Sequence, residues 1–159
     1  MSAEIVMVRH TLENLPPANL PDGYSVRRHE PGDETAWTQI QQLADEFNPI
    51  TPELFASQFG SDPSAWNQRI LYLVDDRSGR PVGTTAAWYG DAGRWAGWGR
   101  IHWVAILPDY QGRGLSKPLL AQALRRLREL GHSRAYLTTS AERTVALRLY
   151  ERFGFSVTA

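Results

Sequence analysis

The chain has 159 residues, 42% of them apolar and 21% charged, and its 17 basic side chains balance 17 acidic ones. That length suits one hydrophobic core rather than two, the composition is that of a folded domain rather than a disordered one, and no apolar run approaches the ~20 residues of a membrane span. With no cysteine, disulfides, thiolate metal sites and a cysteine nucleophile are excluded; His10, His29, His102 and His132 show no metal-ligand spacing, so no metal is expected.

The balanced charge hides an asymmetry. Residues 111–159 hold nine basic and three acidic residues, a net +6, which fits a polyanionic ligand on that half. Basic residues are not interleaved with stacking aromatics, so nucleic acid is not expected as a partner. The N-terminal stretch carries an acid and no basic leader, which predicts a cytoplasmic protein with no membrane partner.

In chain order, Ile5 to Val8 reads as a short extra strand, followed by a proline-rich connector through Leu15-Pro16-Pro17 and Leu20-Pro21-Asp22-Gly23. Residues 1–22 therefore form an N-terminal extension to a single domain. Tyr24 to His29 reads as a strand. A helix follows with Trp37, Ile40, Leu43, Ala44 and Phe47 on one stripe. Asn48-Pro49 breaks it, and Thr51-Pro52-Glu53 opens a second helix with Leu54, Phe55 and Phe59 inside. Ile70 to Val74 and Pro81 to Tyr89 form a hairpin across Asp75 to Arg80. Gly90 to Gly99 is a glycine and tryptophan turn, where Trp95 and Trp98 are candidates for a substrate wall.

Arg100 to Gly131 is the informative stretch. Arg100 to Leu107 alternates, with Ile101, Trp103, Ala105 and Leu107 on one face and His102, Val104 and Ile106 on the other; Pro108 stops this strand. In Gln111-Gly112-Arg113-Gly114-Leu115-Ser116 two glycines flank an arginine, and a helix starts at once, with Ser116 as its N-cap and Leu119, Leu120, Ala123, Leu124 and Leu127 on its apolar stripe. A glycine turn at a helix N-terminus gathers unpaired N–H groups and the positive end of the dipole, which favours an anion such as phosphate. Neither GxGxxG nor GxxxxGK[ST] is present, so a doubly wound nucleotide-binding domain is disfavoured. Ser133 to Thr139 reads as a strand and Thr144 to Phe153 as the last helix.

Ile106-Leu107-Pro108-Asp109-Tyr110-Gln111-Gly112-Arg113-Gly114-Leu115 resembles the signature V-x-P-x-[YF]-[RQ]-G-x-G-[IL]-[GA] of the GNAT superfamily of acyl-CoA-dependent N-acyltransferases. Leu149-Tyr150-Glu151-Arg152-Phe153-Gly154-Phe155 is similar to the LYxxxGF close of the same domains. Three departures stand out. Pro118 removes an N–H from the first helical turn. Arg143 stands where the family often has an asparagine. After the GF the chain has room for one short strand, whereas the family usually ends in two.

The resemblance implies an α/β (α+β) domain whose central mixed, mostly antiparallel sheet is flanked by helices and splayed after the central strand. It implies transfer of an acetyl group from acetyl-CoA, as cosubstrate, to a primary amine on a small molecule or peptide, by direct attack in a ternary complex. Gln111, Gly112, Arg113, Gly114, Leu115, Ser116 and Lys117 would then hold the pyrophosphate. Val104 and Ile106 would pair with the pantetheine arm and offer an N–H to an oxyanion. Tyr150 would protonate the departing thiolate. For the base, His102 leads, with Glu142, or Glu46 through water, as alternatives. The early helices border the acceptor, so Glu46 and Phe47, with Asp45, are candidate substrate contacts. A homodimer is a further family expectation, since a partner would cover the sheet where the last strand is missing. The competing reading is a non-catalytic acyl-CoA-binding or regulatory module.

Overall fold

A computed structural model describes residues 3–158. Seven strands and five α-helices follow one another as β1 (Glu4–Arg9), β2 (Tyr24–Arg28), α1 (Asp33–Ala44), α2 (Leu54–Phe59), α3 (Pro63–Arg69), β3 (Ile70–Asp75), β4 (Arg80–Tyr89), β5 (Gly99–Ile106), α4 (Ser116–Glu129), β6 (Ala135–Ser140), α5 (Thr144–Arg152) and β7 (Ser156–Thr158). All strands join one open sheet in the order β2-β3-β4-β5-β6-β1-β7. Every pairing is antiparallel except β5 with β6. No helix among the described residues is long and apolar enough to cross a membrane.

Two apolar layers hold the sheet. On one side α4 buries Leu120, Leu124 and Leu127, and α5 buries Tyr150, against Met7, Ala87, Ile101 and Leu137. On the other, α1, α2 and α3 close over an aromatic cluster in which Trp37 meets Phe55, Phe59 and Trp103 edge-on, with centroids 5.5–5.6 Å apart. T-shaped contacts of this kind suit the ring quadrupoles and give the layer a fixed geometry. Helix α3 had no counterpart among the sequence expectations; its signal is Asp62, which accepts from Ser64 N as N-cap ahead of Pro63.

The parallel pair β5/β6 is short. It registers only Gly99 with Ala135 and Arg100 with Tyr136, and past that point the strands diverge. Beyond β6 lies β1, antiparallel from Glu4↔Ser140 to Arg9↔Ala135, and then β7 from Val6↔Thr158 to Val8↔Ser156. The expected extra strand thus occupies the sheet position that a second C-terminal strand would fill. The chain covers this region with its own N-terminal segment, which removes the reason given above for a partner to cover it.

Some local expectations shift. Helix α1 ends at Ala44, so Phe47 leaves the helical stripe and sits in the following loop, exposed. Leu115 rather than Ser116 is the N-cap of α4, and no side chain caps that helix. Trp98 is buried, and Trp95 stacks on Tyr136 at 4.2 Å; neither reaches the cleft described next.

Candidate active site

The divergence of β5 from β6 opens a cleft of about 1770 Å³, walled by β5, β6, α5, the start of α4 and the loop after α1. In the middle of β5 the regular alternation fails. Ala86 pairs with His102 and Thr84 with Ala105, so Trp103 and Val104 together oppose Thr85. This is a β-bulge, and Trp103 carries it at φ 56°, a left-handed backbone that costs a bulky residue of order 1–3 kcal/mol. The bulge moves Trp103 onto the face of His102, where Trp103 meets Trp37 and His102 meets Phe59, while Val104 packs with the α4/α5 layer. The strict two-faced alternation expected for this strand is corrected accordingly.

Two side chains pin the bulge. Gln41 of α1, 1% exposed, donates from Nε2 to Trp103 O at 3.2 Å, and Trp103 Nε1 donates to Gln58 Oε1 at 3.0 Å. Gln41 follows Trp37 by one helical turn and stands in the apolar stripe. A buried polar residue in such a stripe calls for a partner, and that is the signal sequence reading passed over.

At the other end of the cleft, Gly112 and Gly114 adopt φ 77° and 74°, and a Cβ built on either would meet nothing within 4 Å. The turn is therefore an open cradle that owes its glycines to backbone conformation rather than to crowding. It leads into α4, whose first turn has no side-chain cap, so its N–H groups remain available to an external acceptor. Such a cradle fits a pyrophosphate. Leu115, Ser116 and Lys117 line it. Gln111 lines it as well, with Nε2 donating back to Ile106 O at 3.0 Å. Arg113 turns its side chain away from the cleft: Nη1 donates to Tyr24 Oη at 3.1 Å, and the guanidinium lies 4.7 Å over the Tyr110 ring.

Tyr150 lines the cleft from α5 beside Leu149. Burial pushes its phenol up to about 12, with the Arg143 guanidinium acting weakly in the opposite direction, so at neutral pH it is a proton donor. His102 faces Phe59 at 5.7 Å. Burial, and next the charge of Arg100, push its imidazole down to about 3, so it stays neutral.

Asp45 is not free for a cationic ligand. Its carboxylate accepts from Phe47 N, Asn48 N and Asn48 Nδ2, and Arg143 Nη2 donates to both oxygens at 3.1 Å. Arg143 also lies 4.7 Å over the Phe47 ring. The residue that departs from the family pattern thus ties the start of α5 to the loop after α1, across the cleft mouth. Burial alone would raise the Asp45 pKa; the donors from Asn48, Phe47 and Arg143 outweigh it and leave it lowered. Glu46 and Phe47 line the mouth and are exposed, as is Glu142 opposite. The structure thus gathers His102, Val104, Ile106, Gln111, Gly112, Gly114, Leu115, Ser116, Lys117, Tyr150, Glu46 and Phe47 around one cleft, with Arg113 outside it.

Comparison with known proteins gives the family and the fold. The chain is 33% identical over 150 residues to a mycothiol acetyltransferase of Cellulomonas flavigena, covering 88% of this chain and 42% of that protein. It is 34% identical over 150 residues to a mycothiol acetyltransferase of an Arthrobacter species, covering 89% and 45%. The chain therefore spans less than half the length of these curated relatives. Among solved structures, a GCN5-related N-acetyltransferase from Sphaerobacter thermophilus superposes with a TM-score of 0.79 at 32% identity, over 99% of this chain and 49% of that one. The ribosomal-protein-S18-alanine N-acetyltransferase of Escherichia coli shares the fold at a TM-score of 0.68 and 24% identity, covering 86% and 79%. The sequence profile of the acetyltransferase (GNAT) family matches residues 37–155, from within α1 to the phenylalanine just before β7, and the chain belongs to that family.

Proposed function

We propose that this chain is an N-acetyltransferase that moves an acetyl group from acetyl-CoA to a primary amine by direct attack in a ternary complex. One observation carries the reading: a single cleft joins an open anion cradle at the start of α4, a strained bulge in β5 and a buried phenol on α5. Acetyl-CoA supplies a thioester whose carbonyl carbon is the electrophile. The chain's own groups do the rest. Gly112 to Lys117 hold the pyrophosphate through backbone N–H groups. The strand edge at Val104 and Ile106 orders an extended arm and presents backbone dipoles to developing negative charge. Tyr150 keeps its proton at neutral pH and gives it up where a thiolate departs. His102, neutral throughout, accepts a hydrogen bond from the incoming amine without retaining its proton, which leaves through water towards Glu46 and Glu142.

A non-catalytic binding module is not favoured, because the curated relatives are named for acetyl transfer and Tyr150 stands in the cleft wall. Calorimetric titration of acetyl-CoA into wild type and Gly114→Trp is the test, followed by an amine screen for thiol release. Micromolar binding lost in the variant, with amine-dependent release in wild type, supports the reading; equal binding by both, or no release with any amine, refutes it.

A further inference from the structure

The partly buried arginines of this domain are well provided with acceptors. Arg27 has Asp33, Arg143 has Asp45, Arg126 has two oxygens of Gln68, and Arg69 has the carbonyls of Ala87 and Trp88 with His132 Nε2. Arg100 is the exception. Nη2 donates to Thr138 Oγ1 at 3.1 Å, and the guanidinium carbon lies 5.5 Å from the ring centroid of Tyr136, whose phenol oxygen is a second, neutral partner. Nε is buried with no hydrogen-bond partner. Among the described residues no carboxylate lies within 4.0 Å of this guanidinium.

Its position makes the deficit informative. Arg100 is the last residue of β5 still registered with β6, so it stands at the vertex of the cleft and lines it. It is two residues from His102 on the same strand face, and roughly 10 Å along the strand from the bulge at Trp103. Nε is enclosed, but a guanidinium that lines the cleft with no carboxylate partner offers its Nη edge to an acceptor from outside, and the planar fork of arginine matches a carboxylate. Glu4, Glu46 and Glu142 lie towards the mouth of the same cleft, so Arg100 is the cationic group at its vertex.

We propose that Arg100 is an acceptor-binding residue that receives a carboxylate, so that the amine acetylated here is an amino acid or a similar amine bearing one carboxylate. The proposal rests on the acetyl-transfer reading above for its substrate class, but the anion site itself is testable by binding alone. Matched pairs, N-acetyl amino acids and the corresponding N-acetyl amino-acid amides with several small side chains, are titrated calorimetrically into wild type, Arg100→Gln and Arg100→Lys. Free amino acids and their amides then serve as acceptors in a thiol-release assay. In wild type the acid member is favoured at least about tenfold, the scale of one charge-assisted hydrogen-bonded pair. The ratio falls to near one in Arg100→Gln and is partly kept in Arg100→Lys, while acetyl-CoA binds all three equally and so reports an intact fold. No acid preference in wild type, or a preference that survives in Arg100→Gln, overturns the proposal. If the acids bind through Arg100 and no amine releases thiol, the transferase reading fails and the anion site stands. If acids and amides release thiol alike in wild type, the anion site fails and the transferase reading stands.

Discussion

Replacing Gln41 by glutamate tests how the bulge at Trp103 is held. In wild type the Gln41 amide, 1% exposed, donates to Trp103 O at 3.2 Å. Glutamate has the same shape, but its ionised carboxylate has only acceptors to offer a carbonyl oxygen; once protonated, its O–H restores the donor. Burial and the facing carbonyl both favour the protonated form, raising the folded-state pKa by ~3 units above the unfolded value of ~4.3. Because the folded state then binds the proton more tightly, the variant loses stability relative to wild type as pH rises from the unfolded to the folded pKa, by ~1.4 kcal/mol per unit. The added penalty is about 1 kcal/mol at pH 5 and roughly 3.4 kcal/mol at pH 7. For a chain of this size that lowers Tm by roughly 2–4 °C and 7–14 °C respectively. Circular dichroism melts of wild type, Gln41→Glu and Gln41→Leu between pH 5 and pH 8 measure it. The leucine variant, which has no titrating group, should lie below wild type by a constant amount. A Gln41→Glu deficit that does not change with pH refutes the reasoning, since it would mean that water reaches the carboxylate or that the amide does not support the bulge.

Tyr150→Phe should lower kcat by about 10²-fold with acetyl-CoA affinity unchanged; a rate within twofold of wild type removes Tyr150 from proton transfer. Asp45→Asn should cost about 1–2 kcal/mol in urea unfolding, less than a fully buried pair, because Arg143 is 27% exposed and water replaces part of what it loses. Since the Asp45 pKa is lowered in the folded state, that contribution is complete above the unfolded value of ~3.9 and disappears as pH falls through the folded one; a deficit that persists unchanged at pH 2 contradicts it. For His102, whose folded pKa is about 3, the unfolded chain takes up a proton below ~6.5 that the folded one refuses. Wild type should therefore lose stability on acidification from pH 6.5 to 4 more steeply than His102→Asn, and identical slopes in Tm would show that the imidazole ionises freely in the cleft.

The elements visible in the sequence were those whose signal is local. Periodicity marks α4 because Leu119, Leu120, Leu124 and Leu127 face one layer, and the glycine turn declares itself because Gly112 and Gly114 require positive φ. The bulge was illegible: Arg100 to Ile106 alternates well, and only the pairing of two residues against Thr85 displaces Trp103. Arg143 was visible as a departure, but its function depends on Asp45, 98 positions away. Arg100 carried no warning either, since an arginine near a strand end is ordinary until its neighbours leave it without a carboxylate partner. The partners of Glu4–Arg9 were equally hidden, because strand pairing between chain ends leaves no mark within either segment.

The place of β1 has a consequence for synthesis on the ribosome. Met7, fully buried in the finished domain, leaves the exit tunnel ahead of the rest of this domain, and the strand it belongs to pairs with residues 135–140 and 156–158. Nearly the whole domain must emerge before this apolar segment has a sheet to join. At about 5–20 residues per second it waits unpaired for several seconds or more, so the first strand of this domain is among its last to dock, and the proline-rich stretch behind it serves as the tether along which it returns.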